Sequence, residues 1–171
     1  MDTATNDSRI EAFRVMLQRL ATINCQLQTL AHTLARAEEI PGLIARTSYP
    51  TERQWLIEEQ TAIEHPLRLR IRQSQLETEF RQGWFAIGDL LRAALDAAGQ
   101  LVTTTAGDPN AAQALPVARI NLEQLAQHRN LPSLTGTPES RMARLRTAWR
   151  DIDTAMACLG EIRFEARQRG H

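Results

Sequence analysis

The stretch His65–Gln73 reads HPLRLRIRQ, and leucine or isoleucine alternates with arginine from Leu67 to Arg72. Alternation of this kind is a strand signal. A lone strand, however, leaves its backbone donors and acceptors unpaired, and nothing nearby supplies a partner strand. Placed on a helix at 100° per residue, Leu69 lines up instead with Leu76, Phe80, Gly83, Ile87, Leu90, Ala94 and Leu101. That row persists for about nine turns. Glu64 stands four residues before Arg68 and Glu77 four before Arg81, the favourable order for ion pairs along a helix. The stretch is therefore predicted to be helical. Pro66 suits either the first turn of a new helix or a kink in a long one. One unbroken helix from Thr51 to Val102 would run about 77 Å, so a break or strong bend near Pro66 is expected.

Helical spacing continues on both sides. Ser8 and Glu11 form a capping box. Ile10, Phe13, Leu17, Leu20, Leu27, Ala31 and Leu34 follow in one row that only Asn24 interrupts. Met16, Ile23, Leu30 and Ala37 widen the stripe, which suits a multi-helix bundle better than a two-stranded coiled coil. Pro41-Gly42 predicts a stop near Ile40, and PGLIARTSYP reads as a loop before a second capping box at Thr51–Gln54. TTTAGDPN reads as a linker. Asp108-Pro109 then suits the start of a short helix toward Leu115, Pro116 an interruption, and Asn121 a further start ending before Leu131-Pro132. Thr137-Pro138-Glu139 opens a last long helix with Met142, Leu145, Trp149, Ile152, Met156 and Leu159 in its row. The prediction is an all-α fold: an elongated antiparallel bundle of three long helices plus one or two short ones. At 171 residues it is expected as a single domain, 1–171, with loose ends at 1–7 and 168–171.

Composition excludes several function classes. Twenty acids balance twenty bases, so there is no global pull toward nucleic acid or an anionic membrane. Every one of those bases is arginine, which with the many alanines points to a GC-rich bacterial genome. No apolar run approaches the ~18 residues of a membrane span. The polar start MDTATNDSRIE shows no signal peptide, so the expected location is cytoplasmic. Two distant cysteines, Cys25 and Cys158, make no disulfide framework or zinc knuckle and read as inert thiols.

Catalytic and metal motifs are missing as well. No Glu-x-x-His pair, His-Glu-x-x-His, Gly-x-Ser-x-Gly or glycine-rich phosphate loop occurs. No metal, cofactor or catalytic residue is expected. Glu58, Glu59 and Glu64 read as a solvated acidic face paired with Arg68 and its neighbours.

Three features remain. Leu67 and Ile71 lie almost opposite the Leu69 row, with Phe85 on the same side. A helix apolar on two faces is either central in its bundle or presents a patch to a partner. Tyr49, Trp55 and Trp84 are aromatic side chains that suit such a patch. Arginines cluster at Arg68, Arg70 and Arg72, at Arg141, Arg144, Arg146 and Arg150, and at Arg163, Arg167 and Arg169. Pairing of Asp153 with Arg150 and of Glu165 with Arg169 would mute the last two clusters. Asn24, if buried, is a device that sets register or oligomeric state. The favoured reading is a non-enzymatic protein–protein interaction module (adaptor, chaperone or assembly subunit) whose partner is another protein or a second copy of itself. It binds through Leu67, Ile71, Phe85, Tyr49 and Trp55. The alternatives are a nucleic-acid-binding or replication-associated protein using the arginine clusters, and a small-ligand sensor with a pocket around Trp149.

Overall fold

A computed structural model describes residues 3–109, 114–129 and 137–169, without the side chains of residues 165, 166 and 169. Among the described residues there are five helices and no strand: α1 (Thr3–Arg46), α2 (Pro50–Ala62), α3 (Pro66–Ala106), α4 (Leu115–Gln127) and α5 (Pro138–Arg169). Three are long and two have 13 residues. The chain is a helical bundle, and its contacts group into two compact units. One comprises Met1–Gln18 and Phe85–His171, the other Arg19–Trp84; α1 and α3 contribute to both.

The alternating stretch is helical, and the break falls at Pro66. The junction between α2 and α3 is stabilised by His65. Its carbonyl accepts from the Arg68 and Leu69 amides at 2.9 and 3.2 Å. Its ring Nδ1 accepts the Leu67 amide at 3.2 Å. Proline, which has no amide to satisfy, fills the first helical position. His65 therefore caps α3, a role usually taken by Ser, Asp or Asn.

Several boundaries differ from those read in the sequence. Helix α1 begins at Thr3, so Ser8 and Glu11 lie inside it, and Asn6 is buried. Helix α1 also runs through Pro41 to Arg46. Proline withholds the amide owed to the Ala37 carbonyl. Helical apolar spacing persists beyond it, however: Ile40 is fully buried, and Leu43 and Ile44 are half-buried. Helix α2 starts one residue early, with Tyr49 at its N-cap position and Pro50 behind it, while the Thr47 hydroxyl donates to Glu52 at 2.6 Å. Pro116 opens α4 instead of interrupting a helix, and Asn121 is a buried interior residue of that helix. The threonines read as a linker finish α3. Thr103, Thr104 and Thr105 each donate a hydroxyl to the carbonyl four residues back, at 2.8–2.9 Å, which satisfies the hydroxyl without leaving the helix. Helix α5 opens as read, with the Ser140 amide donating to the Thr137 hydroxyl. The predicted helix end before Leu131-Pro132 and the first part of the following loop lie outside the described residues, as does the side-chain pairing of Glu165 with Arg169.

In the first unit, Ile10 and Phe13 of α1 are buried with Ile87, Leu95 and Val102 of α3, Leu125 of α4, and Leu145 and Ile152 of α5. Phe13 meets the Trp149 ring at 6.3 Å between centroids. Buried alanines (Ala94, Ala97, Ala98, Ala148, Ala155) bring the backbones close. Helix α4 packs on α5, and His128 at its end lies 2.6 Å from Asp151, the ring Nε2 donating to the carboxylate.

In the second unit, α1 packs antiparallel to α3. Arg19 pairs with Glu79, and further along α1 Glu38 pairs with Arg70, near the start of α3. Leu30, Ala37 and Leu69 form the buried cluster, with Leu34, Ile63 and Leu76 packed on it. Here the row of α1 differs from expectation. Ile23, Leu30 and Ala37 are buried at seven-residue steps, Asn24 is half-buried, and Ala31 is exposed. Turning the stripe by one position past Asn24 buries isoleucine and leaves the amide side chain at the margin.

Candidate functional site

The second apolar face of α3 points outward. Leu67 is 61% exposed and Ile71 52%, while Leu69 between them is 3% exposed. In the first unit the arrangement recurs: Phe85 is 80% exposed and Ile87, two residues on, is fully buried. Of the two options the sequence left for this face, it is the exposed one that the chain adopts. Tyr49 and Trp55, which precede and belong to α2, are also exposed, as is Ile57. Trp84 is half-buried and stacks on Phe80 at 5.4 Å, so it is a packing residue.

Helix α2 is oriented by one buried leucine and one ion-pair network. Leu56 faces inward. Arg36 of α1 donates through Nε and Nη2 to the two carboxylate oxygens of Glu59, at 2.7 and 2.8 Å, and through Nη1 to Glu39 at 3.1 Å. This bidentate geometry holds the Glu59 carboxyl below its ordinary value, chiefly through the hydrogen bonds from Arg36. Glu59 thus serves α1, not the Arg68 cluster, and Glu58 takes a hydrogen bond from Gln54. With Leu56 and Glu59 turned inward, Trp55 and Ile57 are carried outward on the flanks.

A cavity of about 450 Å³ lies beside this region of the second unit, lined in part by Cys25, Thr29, Leu30, Ile63, Leu69 and Arg72. It is the continuation of the Leu30–Leu69 cluster toward solvent, where α1 and α3 leave room beside the end of α2.

The arginine clusters separate by environment. Arg68 and Arg72 are exposed, and Arg70 is tied to Glu38. Arg141 is half-buried, and desolvation lowers its guanidinium from its ordinary value. Arg144, Arg146 and Arg150 are exposed. Among the described residues, the expected Asp153–Arg150, Glu64–Arg68 and Glu77–Arg81 pairs are not formed; arginine pairs instead with Glu11, Glu38, Glu39, Glu59, Glu79, Asp89, Asp96 and Glu123.

Cys25 and Cys158 are free thiols in separate units. No cluster of three metal-ligating side chains occurs among the described residues, and no described helix is long and apolar enough to cross a membrane. Trp149 packs on Phe13 and lines neither of the two cavities described for this chain. Sequence reading missed the His128–Asp151 pair and the Arg36–Glu59 clamp. Each joins residues 23 apart on different elements, and no local spacing signals either. No protein-family model, no curated protein and no solved structure matches this chain.

Proposed function

We propose that the chain is a non-enzymatic interaction module, acting in the cytoplasm, that docks another protein on the outer face of α3 where it leaves α2. The observation that carries this reading is the exposure of Leu67 and Ile71 directly opposite a buried leucine on the same helix. Covering such side chains contributes about 1.5–3 kcal/mol each, and exposed apolar residues that join into a patch on successive turns of one helix face are the surface feature that marks an interaction site. Trp55 and Tyr49 have the amphipathic rings that anchor interfaces, and their exposure on and just before α2 adds to the same reading.

The test is isolation of the tagged chain from its native host beside the double variant Leu67→Glu/Ile71→Glu. The reading expects a stoichiometric protein companion with the wild type that the variant loses while keeping its helical circular dichroism. A companion held equally by both chains contradicts it.

A second reading, nucleic-acid binding, draws on Arg144, Arg146 and Arg150. They are exposed on α5 and meet no carboxylate among the described residues. A salt-dependent mobility shift with DNA at about 50 mM salt, lost in Arg144→Gln/Arg146→Gln, is what that reading requires.

A further inference from the structure

We infer that the first unit carries a binding site for a small phosphorylated molecule, in a cleft to which its helices contribute from four sides of the chain's sequence. The cleft has a volume of about 560 Å³, inside the ~300–1,000 Å³ span of small-molecule sites. Asn6 and Arg9 come from α1, Asp96 and Gln100 from α3, Arg129 from the end of α4, and Arg163 from α5.

Charge is the first argument. Among the described residues, three guanidiniums and a single carboxylate line this concavity, in a chain with no net charge. The ion pair there among the described residues, Arg129 to Asp96, is long at 3.6 Å with both side chains 60% exposed, so it leaves most of the arginine's donors available. Arg9 and Arg163 meet no carboxylate among the described residues, and Arg9 is half-buried. Like charges brought together in a cleft repel one another until an anion joins them. Arginine's planar fork of donors suits carboxylate and phosphate oxygens alike, but a phosphate, with up to two negative charges and three free oxygens, can answer three guanidiniums where a carboxylate has one charge and two oxygens.

The second argument is a buried acceptor. Gln100 lines the cleft, and its Oε1 is shielded from solvent with no donor among the described residues. An unmet acceptor of this kind is costly, and a ligand hydroxyl or amino group in the cleft relieves it when the carboxamide turns toward it. A ligand that satisfies both arguments carries phosphate on one part and hydrogen-bond donors on another, and it is larger than inorganic phosphate. Nucleotides and sugar phosphates have that chemistry. The site is independent of the docking face on the second unit.

The experiment is titration calorimetry of the full chain with ATP and with ribose 5-phosphate as probes. At least one is expected to bind with Kd below about 1 mM. Arg9→Gln and Arg163→Gln should each weaken that binding by about tenfold or more, the loss of one charge-assisted contact. Arg81→Gln, at an exposed position of α3 outside the cleft, should leave it unchanged. If Arg9→Gln fails to fold by circular dichroism, the exposed Arg163→Gln supplies the same test. Absence of binding by both probes, or binding indifferent to Arg163→Gln, overturns the site.

Discussion

The two units bury their apolar residues to different depths. In the first, buried side chains come from α1, α3, α4 and α5, the fully covered large ones (Phe13, Ile87, Leu95, Val102, Leu145 and Ile152) from α1, α3 and α5, and small alanines let those helices approach closely. In the second, three helices share a core whose buried hydrophobic members are Leu20, Ile23, Leu30, Ala37, Ile40, Leu56 and Leu69. Its large apolar residues Tyr49, Trp55, Ile57, Leu67 and Ile71 stay exposed. The first unit leaves Val15, Phe85, Leu115, Val117, Ile120 and Phe164 exposed as well, but these are spread over more helices and a longer stretch of chain, whereas a three-helix group has less interior to offer than a four-helix one. What remains outside in the second unit is concentrated on α2 and the first turns of α3, which is why the docking face is assigned there.

Core truncation separates the units most strongly. Leu145→Ala, at a fully buried position of the first unit, should cost about 2–5 kcal/mol in chemical denaturation. Leu30→Ala, in the thinner core and 7% exposed, should fall at or below the lower end of that range, because a looser surround collapses around the gap. Equal losses would mean that the two cores are equally tight. A smaller effect is expected where α4 is tied to α5. Asp151→Asn removes the charged partner of His128 and should cost about 1–2 kcal/mol by the same measurement; no change would reduce that contact to surface decoration.

The outer face should behave in the opposite way. Trp55→Ser and Leu67→Glu should shift stability by no more than about 0.5 kcal/mol, since neither residue is buried in the chain. A larger loss would place those side chains in a core. Smallest of all is the effect of the clamp on α2. Its hydrogen bonds hold Glu59 below the ordinary carboxyl value of 4.5. The stabilisation is therefore complete above that value and is lost as pH falls through the lower, folded-state value. Glu59→Gln should reduce thermal stability slightly at pH 7, and the two proteins should converge as acidification passes through that lowered value. A gap that persists at pH 2 would show that the side chain acts through packing.

Much of this architecture was legible from spacing alone. The row from Leu69 to Leu101 and the row from Met142 to Leu159 run along buried or half-buried positions, because a helix places residues three and four apart on one face whatever packs there. The same geometry placed Leu67, Ile71 and Phe85 on one second face, but whether that face is covered by another helix or left outside was decided only by the packing. Local breaker signals were less faithful. Pro41, the threonines of α3 and Asn121 all sit inside helices, where tertiary packing and back-bonded hydroxyls outweigh a propensity deficit. The pairings Arg36–Glu59 and His128–Asp151, and the gathering of Arg9, Arg129 and Arg163 around one cleft, depend on which helices meet. That information lies in the packing and not in any one segment.

Oxidative footprinting of the free chain and of the chain isolated with its companion measures the use of the outer face directly. Tyr49, Trp55, Leu67 and Ile71 should label rapidly in the free chain and be shielded in the complex, while Phe13 and Leu145 stay dark in both. Equal labelling of Leu67 and Ile71 in the two samples would contradict the assignment of this face as the docking surface.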